Sequence, residues 1–308
     1  MKKNNLNHFI KSNKNFYKIF LFHGVIRKNK YVIRNYTNKH ILEKNFVNKI
    51  KFIKKNYNIL SLEKIFFLIK KKLPLPDNTC AITFDDGFEN NYSVAAPILK
   101  RYKIPTTFYF STDFINNNSM SWIDKIEYVF EKTKKKTLIL PWNNNSRQIN
   151  NNQKKKLILD EIRKVLKRKN KNSIIENFVK DVFKQLDVKK ILSLNSEIDK
   201  KINWSKVRKL NNCNLFTIGG HSHRHISLTS VPIGEAKIEI DKSLKFFKKK
   251  IGINLKHYSY PEGQEKDFNI SIKKYLKKKG IIICPAAISG YNSINSNFFN
   301  LKRISISA

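Results

Sequence analysis

Two adjacent aspartates, Asp85 and Asp86, follow the apolar run 81–84 and precede Gly87. Neighbouring side chains on a strand point to opposite faces, so a turn must redirect one of them if both are to face one ligand. Gly87 permits such a turn, because glycine adopts a positive φ at little steric cost. Adjacent ionised carboxylates repel each other without a cation, so the pair indicates a metal site in which the two acids have different roles. Taken alone, the motif is also typical of a solvated turn.

A cluster of histidines, His221, His223 and His225, follows the apolar run 215–218 much later in the chain. If this segment forms one helical turn, His221 and His225 share a face at i and i+4 and His223 points elsewhere. Two imidazoles and a carboxylate can hold a divalent ion and leave positions open for water and substrate. The alternative is a surface histidine cluster without a function.

Both motifs, in this order, resemble those of the polysaccharide deacetylases of carbohydrate esterase family 4, which carry Thr-Phe-Asp-Asp-Gly first and His-Ser/Thr-x-x-His second. Further similarities to this family lie at residues 21–25, 204–210, 258–263 and 301–304. The resemblance, which is to chitooligosaccharide and exopolysaccharide N-deacetylases, covers about residues 20–118 and 202–306.

The resemblance implies a metal centre and a general base. Asp86, His221 and His225 would hold a divalent ion, commonly zinc, which polarises the acetyl carbonyl and acidifies a water molecule. Asp85 would take a proton from the attacking water and would not ligate the ion. The implied reaction removes an acetyl group, preferably from nitrogen, from a sugar of a cell-surface polysaccharide or its precursor. The same chemistry would cleave an O-acetyl ester.

The resemblance also implies contacts with the N-acetylated glycan that would be the substrate. Tyr260, Pro261 and Gly263 match the third motif of the family, and a backbone N–H near Tyr260 would stabilise the oxyanion. Trp122 belongs to a segment that is similar to an aromatic-Asp motif of bacterial relatives, and we expect it to stack on a sugar ring.

The chain departs from better-known members of the family at two positions. Ser259 stands where they carry an arginine that orients the base, and no histidine follows His257, so their C-terminal general acid is absent. Relatives with an aromatic-His motif near the N-terminus indicate His23 as the substitute acid. The alternatives are that His23 is a core residue, that His257 is the acid, or that the chain is a metal- and sugar-binding pseudoenzyme.

The residue pattern predicts an α/β fold with parallel strands. Short apolar runs alternate with helical patterns, which is typical of parallel strands with crossover helices. The predicted strands are 19–22, 80–84, 106–110, 215–218, 257–260 and 280–283. The family resemblance sharpens this to a distorted, incomplete (β/α) barrel with the site at the C-terminal ends of its strands.

We predict a single catalytic domain over residues 1–308 with a helical insertion at about 119–201. Two amphipathic helices are expected in the insertion, at about 154–168 and 173–187. Insertions of this kind are packing elements or lids.

The net charge is +39, with 62 Lys and Arg against 23 Asp and Glu. Lysines are scattered over the whole length beside abundant Asn and Ile, which is typical of an AT-rich genome rather than of a nucleic-acid-binding patch. We therefore expect no nucleic acid as a partner, although a basic protein that binds nucleic acid or membrane surfaces stays open as an alternative. Peripheral contact with an anionic membrane surface is compatible with the charge.

Three cysteines, Cys80, Cys213 and Cys284, are an odd number without metal-type spacing and predict buried thiols rather than a disulfide framework. The basic segment 1–18 precedes an apolar run that is too short for a signal peptide or a membrane span. We therefore expect a cytoplasmic location, including the inner membrane face.

Overall fold

The computed structural model of the chain describes residues 15–189, 191 and 195–307, so most of the basic segment 1–18 lies outside the described residues. The strands are β1 (Phe16–Phe22), β2 (Gly24–Ile26), β3 (His40–Leu42), β4 (Asn58–Ile59), β5 (Thr79–Phe84), β6 (Thr106–Phe110), β7 (Thr137–Ile139), β8 (Ser146–Gln148), β9 (Phe216–Gly220), β10 (Asn292–Ser293) and β11 (Ile304–Ser305). The helices are α1 (Glu43–Asn56), α2 (Leu62–Lys70), α3 (Ala96–Arg101), α4 (Thr112–Asn117), α5 (Trp122–Lys132), α6 (Asn152–Lys169), α7 (Asn172–Gln185), α8 (Trp204–Asn211), α9 (Ile233–Ile251) and α10 (Ile270–Lys278).

The main sheet has the order β10-β1-β5-β6-β9, with β11 paired to β1 and β4 paired to β5. All of these pairs are parallel except β1 with β10. The prediction of an α/β fold with parallel strands is therefore confirmed. Beyond β9 the predicted strands 257–260 and 280–283 form only the isolated parallel bridges Gly220–Tyr258 and His257–Ile283, and a third parallel bridge, Pro285–Leu301, follows them.

Aromatic side chains of the central strands form the middle of the core. Phe22, Phe84 and Phe108 lie on three neighbouring strands, with ring centroids 5.3 Å and 5.2 Å apart along the row. All residues of β5 and β6 are buried, because helices cover one face of these strands and the interior of the fold covers the other. This packing fixes the C-terminal strand ends, from which the site residues project.

The predicted insertion leaves the sheet after β6 and has its own apolar cluster. Val129 of α5, Ile162 of α6 and Val182 of α7 are fully buried there. The two predicted helices are present as α6 and α7, and α5 and the β7–β8 hairpin precede them. Ser121 caps α5 by accepting a hydrogen bond from the backbone N–H of Asp124.

Two further predictions concern the state of the cysteines and the presence of membrane-spanning helices. Cys80 and Cys284 are buried free thiols, and Cys213 is a partly buried one. Among the helices that the structure describes, none combines the length and the apolar character needed to cross a bilayer.

Candidate metal centre and catalytic site

The two aspartates lie in a tight turn at the end of β5. Asp86 has a φ of 75° and Gly87 a φ of 88°, so both residues adopt left-handed backbone conformations. A Cβ added to Gly87 would lie 2.9 Å from Cδ1 of Phe110, so this position also needs a residue without a side chain. The turn directs both carboxylates into one cavity, as the sequence predicts, and Asp is among the non-glycine residues that tolerate this conformation best.

The histidine motif lies in a loop after β9, and the predicted helical turn is wrong. Ser222 and His225 each have a φ of 57°. The carbonyls of Ser222 and His223 accept hydrogen bonds from the backbone N–H groups of Thr112 and Asp113 instead of forming helical i to i+4 bonds. His223 does point elsewhere, because its Nδ1 lies 2.8 Å from the Thr112 hydroxyl.

Asp86, His221 and His225 converge, with one potential ligand atom from each residue and all three atoms within 4.8 Å of one another. Oδ1 of Asp86 lies 3.1 Å from Nε2 of His225 and 3.7 Å from Nε2 of His221. The ring Nδ1 of His221 lies 2.9 Å from the carbonyl of Ser259, which can only accept, so Nδ1 carries the proton and Nε2 presents a lone pair.

The protonation of the two histidines fits a divalent ion. Burial lowers the pKa of His221 to about 4, so its imidazole is neutral at pH 7. Burial also opposes the charged form of His225, but the Asp86 carboxylate outweighs it and raises the pKa of His225. A carboxylate oxygen and two imidazole nitrogens that converge on one point form a typical divalent metal site, and a bound ion would replace the proton shared by His225 and Asp86.

Asp85 is held by an arginine that sequence reasoning missed. The two terminal nitrogens of Arg303 lie 2.8 Å and 2.7 Å from the two carboxylate oxygens of Asp85, and Arg303 also donates to Oγ of Ser259 over 2.9 Å. Both charged side chains are buried. Burial would raise the pKa of Asp85, but Arg303 and, more weakly, His221 lower it, so the carboxylate is ionised.

Arg303 supplies the arginine contact to Asp85 that the third sequence motif of this chain lacks. Ser259 stands where the family carries its orienting arginine, and the expectation that this group is missing is wrong. The guanidinium comes from residue 303, just before β11, which pairs with β1 beside β5. The available signal was physical: a buried carboxylate needs a cationic partner, and Arg303 stands in the C-terminal family-like segment 301–304.

A second charged group that the sequence did not indicate lies behind Asp86. Nζ of Lys39 is 2.7 Å from Oδ1 of Asp124 and 4.0 Å from Oδ2 of Asp86, the carboxylate oxygen that lies away from the histidines. Nζ of Lys201 is 4.0 Å from Asp124 and 3.5 Å from the ring centroid of Phe88. Burial would raise the pKa of Asp86, but His225 and, more weakly, Lys39 hold it well below its ordinary value.

His23 and Tyr260 line the same cavity of about 370 Å³ as the two aspartates and the two convergent histidines. Among the described residues, no group accepts a hydrogen bond from the backbone N–H of Tyr260. His257 lies elsewhere, with its Nε2 3.0 Å from Oε1 of Glu63. The structure therefore brings His23, and not His257, to the aspartates.

The remaining predicted residues shape the rim of the site. Pro261 is buried, and Gly263 has a φ of 65° in a turn where a Cβ would lie 2.6 Å from the backbone nitrogen of Ala287. Trp122 lines an adjoining cavity of about 590 Å³. His225 and Glu262 line both cavities, so the two cavities adjoin each other.

Comparisons with known proteins identify relatives of this chain. A family model described as polysaccharide deacetylase matches residues 72–167 and 172–282. A poly-beta-1,6-N-acetyl-D-glucosamine N-deacetylase of Staphylococcus aureus is 30% identical over 153 residues, which are 48% of this chain and 52% of that protein. The chain thus spans about half the length of the curated relatives it matches.

Solved structures share the fold over nearly the whole chain. The Streptococcus pyogenes deacetylase PplD superposes with a TM-score of 0.61 at 14% identity, covering 96% of this chain and 94% of that one. A de-N-acetylase from Aggregatibacter actinomycetemcomitans gives a TM-score of 0.59 at 17% identity, covering 95% of each chain. At these identities the likeness establishes the fold alone. The family resemblance seen in the sequence motifs is confirmed by the family model.

Proposed function

The chain belongs to the polysaccharide deacetylase family, and on this basis we propose that it is a metal-dependent hydrolase that removes an acetyl group from a sugar of a cell-surface polysaccharide or its precursor. The N-acetyl group is the proposed target, and zinc the proposed ion. The observation that carries the proposal is the convergence of Asp86, His221 and His225 beside an ionised Asp85. The substrate named for the Staphylococcus aureus relative favours a polymer of N-acetylglucosamine.

The residues around the proposed metal site would each have a different role in the reaction. A divalent ion held by Asp86, His221 and His225 would polarise the acetyl carbonyl and lower the pKa of a water molecule. Asp85 would take a proton from that water as its oxygen attacks the carbonyl carbon. The free backbone N–H of Tyr260 would donate to the oxyanion that forms. The C–N bond would then break as the nitrogen takes up a proton, so that the amine is the leaving group and acetate is the other product.

His23 is the proposed donor of that proton. Burial lowers its pKa, and Asp86 and Asp85 offset only part of this effect, so the imidazole is mostly neutral near pH 7. It would therefore accept the proton that Asp85 takes from water before passing it to the amine. Its place in the cavity with both aspartates supports this transfer.

A leaving-group comparison tests the role of His23. His23→Gln should lose most of its activity on an N-acetylated glucosamine oligosaccharide, because an amine leaves only when protonated. It should keep most of its activity on p-nitrophenyl acetate, whose phenolate leaves without a proton. Asp85→Asn should lose both activities. Equal loss of both by His23→Gln would contradict the acid assignment.

Acetate release tests the whole function. The purified chain should release acetate from N-acetylglucosamine oligosaccharides, lose this activity after chelation, and regain it with zinc or cobalt. Comparing acetate release from O-acetylated and N-acetylated sugars in the same assay will show whether the chain cleaves an ester or an amide. A chain that binds metal and oligosaccharide but releases no acetate would be the pseudoenzyme.

Trp122 is the proposed platform for a neighbouring sugar ring, supported by its place in the adjoining cavity. Trp122→Ala should raise KM for oligosaccharides with little change in kcat. Trp142 is a matched control in the same apolar cluster, because its ring stacks on Phe178 and does not line that cavity. Unchanged substrate affinity in Trp122→Ala would remove the sugar-stacking role.

The proposal also covers the barrel architecture, the domain organisation and the cellular location of the enzyme. We propose that the sheet and its isolated bridges form a distorted, incomplete (β/α) barrel, in one domain over residues 1–308 with the insertion at about 119–201. The pairing of β11 with β1 and the bridges beyond β9 support the barrel. We further propose a cytoplasmic location with peripheral contact with an anionic membrane at its inner face, which cell fractionation would test.

A further inference from the structure

A groove of about 1120 Å³ opens at the end of the sheet opposite the catalytic site. Its wall includes Asn15, which precedes β1, Leu75, which precedes β5, and Ile281, which precedes the bridge at Ile283. These positions lie at the N-terminal ends of parallel strands. The metal-site residues follow the C-terminal ends, so the groove and the site face opposite directions.

The groove is apolar, and part of its lining is exposed. Phe66 and Ile69 of α2, with Ile282 and Phe298, form much of its floor. Leu73 is 47% exposed at its rim and Ile294 is 37% exposed. Exposed apolar side chains grouped at one opening are typical of a contact surface.

The charged residues that line the groove are all lysines. They are Lys70, Lys72, Lys256 and Lys277. No acidic residue is among the described side chains of its wall. Lysine is common throughout the chain, so the combination of these lysines with the exposed apolar rim is what distinguishes the groove.

The helices add positive charge to the same end of the molecule. A helix that connects parallel strands runs antiparallel to them, so its last turn lies at the N-terminal strand ends. Basic residues occupy the last turns of α1, α2, α3, α8, α9 and α10. Cations at helix C-termini also favour the helix dipole, which accounts for part of this pattern. It does not account for the apolar rim between them.

We infer that this end of the molecule, defined by the groove and its lysines, docks on an anionic lipid bilayer. Leu73 and Ile294 would enter the headgroup region, and the lysines would contact anionic headgroups. The catalytic cavity would then face away from the bilayer, where a glycan can reach it. The inference locates the membrane contact of the proposed function, but lipid binding is measured without any deacetylation.

Vesicle co-sedimentation of the full chain tests the inference. The wild type should bind phosphatidylcholine vesicles that contain phosphatidylglycerol, should not bind pure phosphatidylcholine vesicles, and should be released by salt. The triple variant Lys70→Gln, Lys72→Gln, Lys277→Gln should bind on the order of 100-fold more weakly. The rim variant Leu73→Ser, Ile294→Ser should also bind more weakly at unchanged net charge.

A matched control removes the same number of charges elsewhere. Lys134, Lys135 and Lys136 are exposed in the insertion, which leaves the sheet at the C-terminal end of β6. Their triple Gln variant should bind anionic vesicles nearly as well as the wild type. Equal losses in both triple variants would mean diffuse attraction and would overturn the inference, as would unchanged binding of the rim variant. Acetate release from soluble oligosaccharides should be the same in all variants. Because lipid binding and acetate release are measured independently, a failure of the enzymatic proposal can be distinguished from a failure of the docking inference.

Discussion

The carboxylate of Asp85 is fixed in orientation because Arg303 contacts both of its oxygens from one plane. Such a pair is costly to break inside a protein, since the remaining charge stays buried without a partner. The same contact keeps Asp85 ionised, as a general base must be. The roles proposed for the two neighbouring aspartates match their partners: Asp85 faces an arginine and Asp86 faces two histidines.

Weakening the Arg303 contact should move the pH dependence of catalysis. Arg303 lowers the pKa of Asp85, and the base is active above that pKa, so activity falls as the pH drops through it. Arg303→Lys keeps the charge but loses the two-pronged contact, and should shift the acid limb of kcat/KM to higher pH. Arg303→Met should shift it further and destabilise the fold by about 3–5 kcal/mol. An acid limb at the wild-type pH in both variants would contradict this role.

Lys201 should lower the stability of the protein at neutral pH. Burial lowers its pKa to about 8, and Asp124 offsets part of that effect. Below pH 8 both the folded and the unfolded chain carry the proton, and the folded state bears the full cost of a buried charge, about 3 kcal/mol. Between pH 8 and the ordinary 10.5 the unfolded state alone holds the proton, so stability rises with pH.

Lys201→Met is therefore expected to stabilise the protein at pH 7, by up to about 3 kcal/mol in denaturant unfolding. The gain should shrink as the pH rises from 8 towards 10.5. A variant that is less stable than the wild type across this range would mean that the cation–π contact with Phe88 outweighs desolvation.

At the scale of elements, the strands and helices that could be predicted are those with a strong local pattern. The predicted strands at β5 and β6 and helices α6 and α7 follow from apolar runs and helical periodicity. The segments 257–260 and 280–283 form only isolated bridges, and 257–260 contains the polar residues His257 and Ser259, so its local pattern is weaker than that of β5 or β6. The His loop differs from the predicted helical turn because residues 112–113 occupy its carbonyls.

Some of the site residues could likewise be predicted from the sequence, and others could not. Asp85, Asp86, His221 and His225 could be proposed because their types and spacing have few alternatives. Lys39 could not, since lysines are abundant in this chain, and Arg303 could not, since it lies 218 residues from Asp85 in the sequence and only the three-dimensional contacts bring the two together.

The turn after β5 should be sensitive to a single added methyl group. Gly87→Ala combines a φ of 88° with a Cβ placed 2.9 Å from the Phe110 ring. We expect a loss of more than about 1–2 kcal/mol, the cost of a left-handed alanine alone. Because Asp86 is the preceding residue, zinc affinity should fall as well.

Gly252→Ala is the matched control for this turn. Gly252 has a φ of 79° at the end of α9, and no atom lies within 4 Å of an added Cβ. It should show the backbone strain alone, with zinc affinity unchanged. Equal effects of the two substitutions on stability and zinc affinity would show that Gly87 is needed only for its φ.

At the scale of the whole molecule, the candidate metal site and the lysine-rich groove lie at opposite ends of the parallel strands. The metal-site residues follow the C-terminal strand ends, where backbone turns and loops can aim side chains into one cavity. The lysine-rich groove lies at the opposite end. Net charge indicated only that an anionic partner was compatible, and the groove is the surface that we propose for it.

Zinc content and acetate release, measured together in Asp85→Asn and Asp86→Asn, test the central claim most directly. Asp85→Asn should keep its zinc and its fold but lose about 100- to 10,000-fold in kcat on an N-acetylglucosamine oligosaccharide. Asp86→Asn should lose zinc and activity together. Full-rate acetate release by Asp85→Asn, or loss of zinc from it with the fold intact, would contradict the assignment of Asp85 as a base beside a metal held by Asp86, His221 and His225.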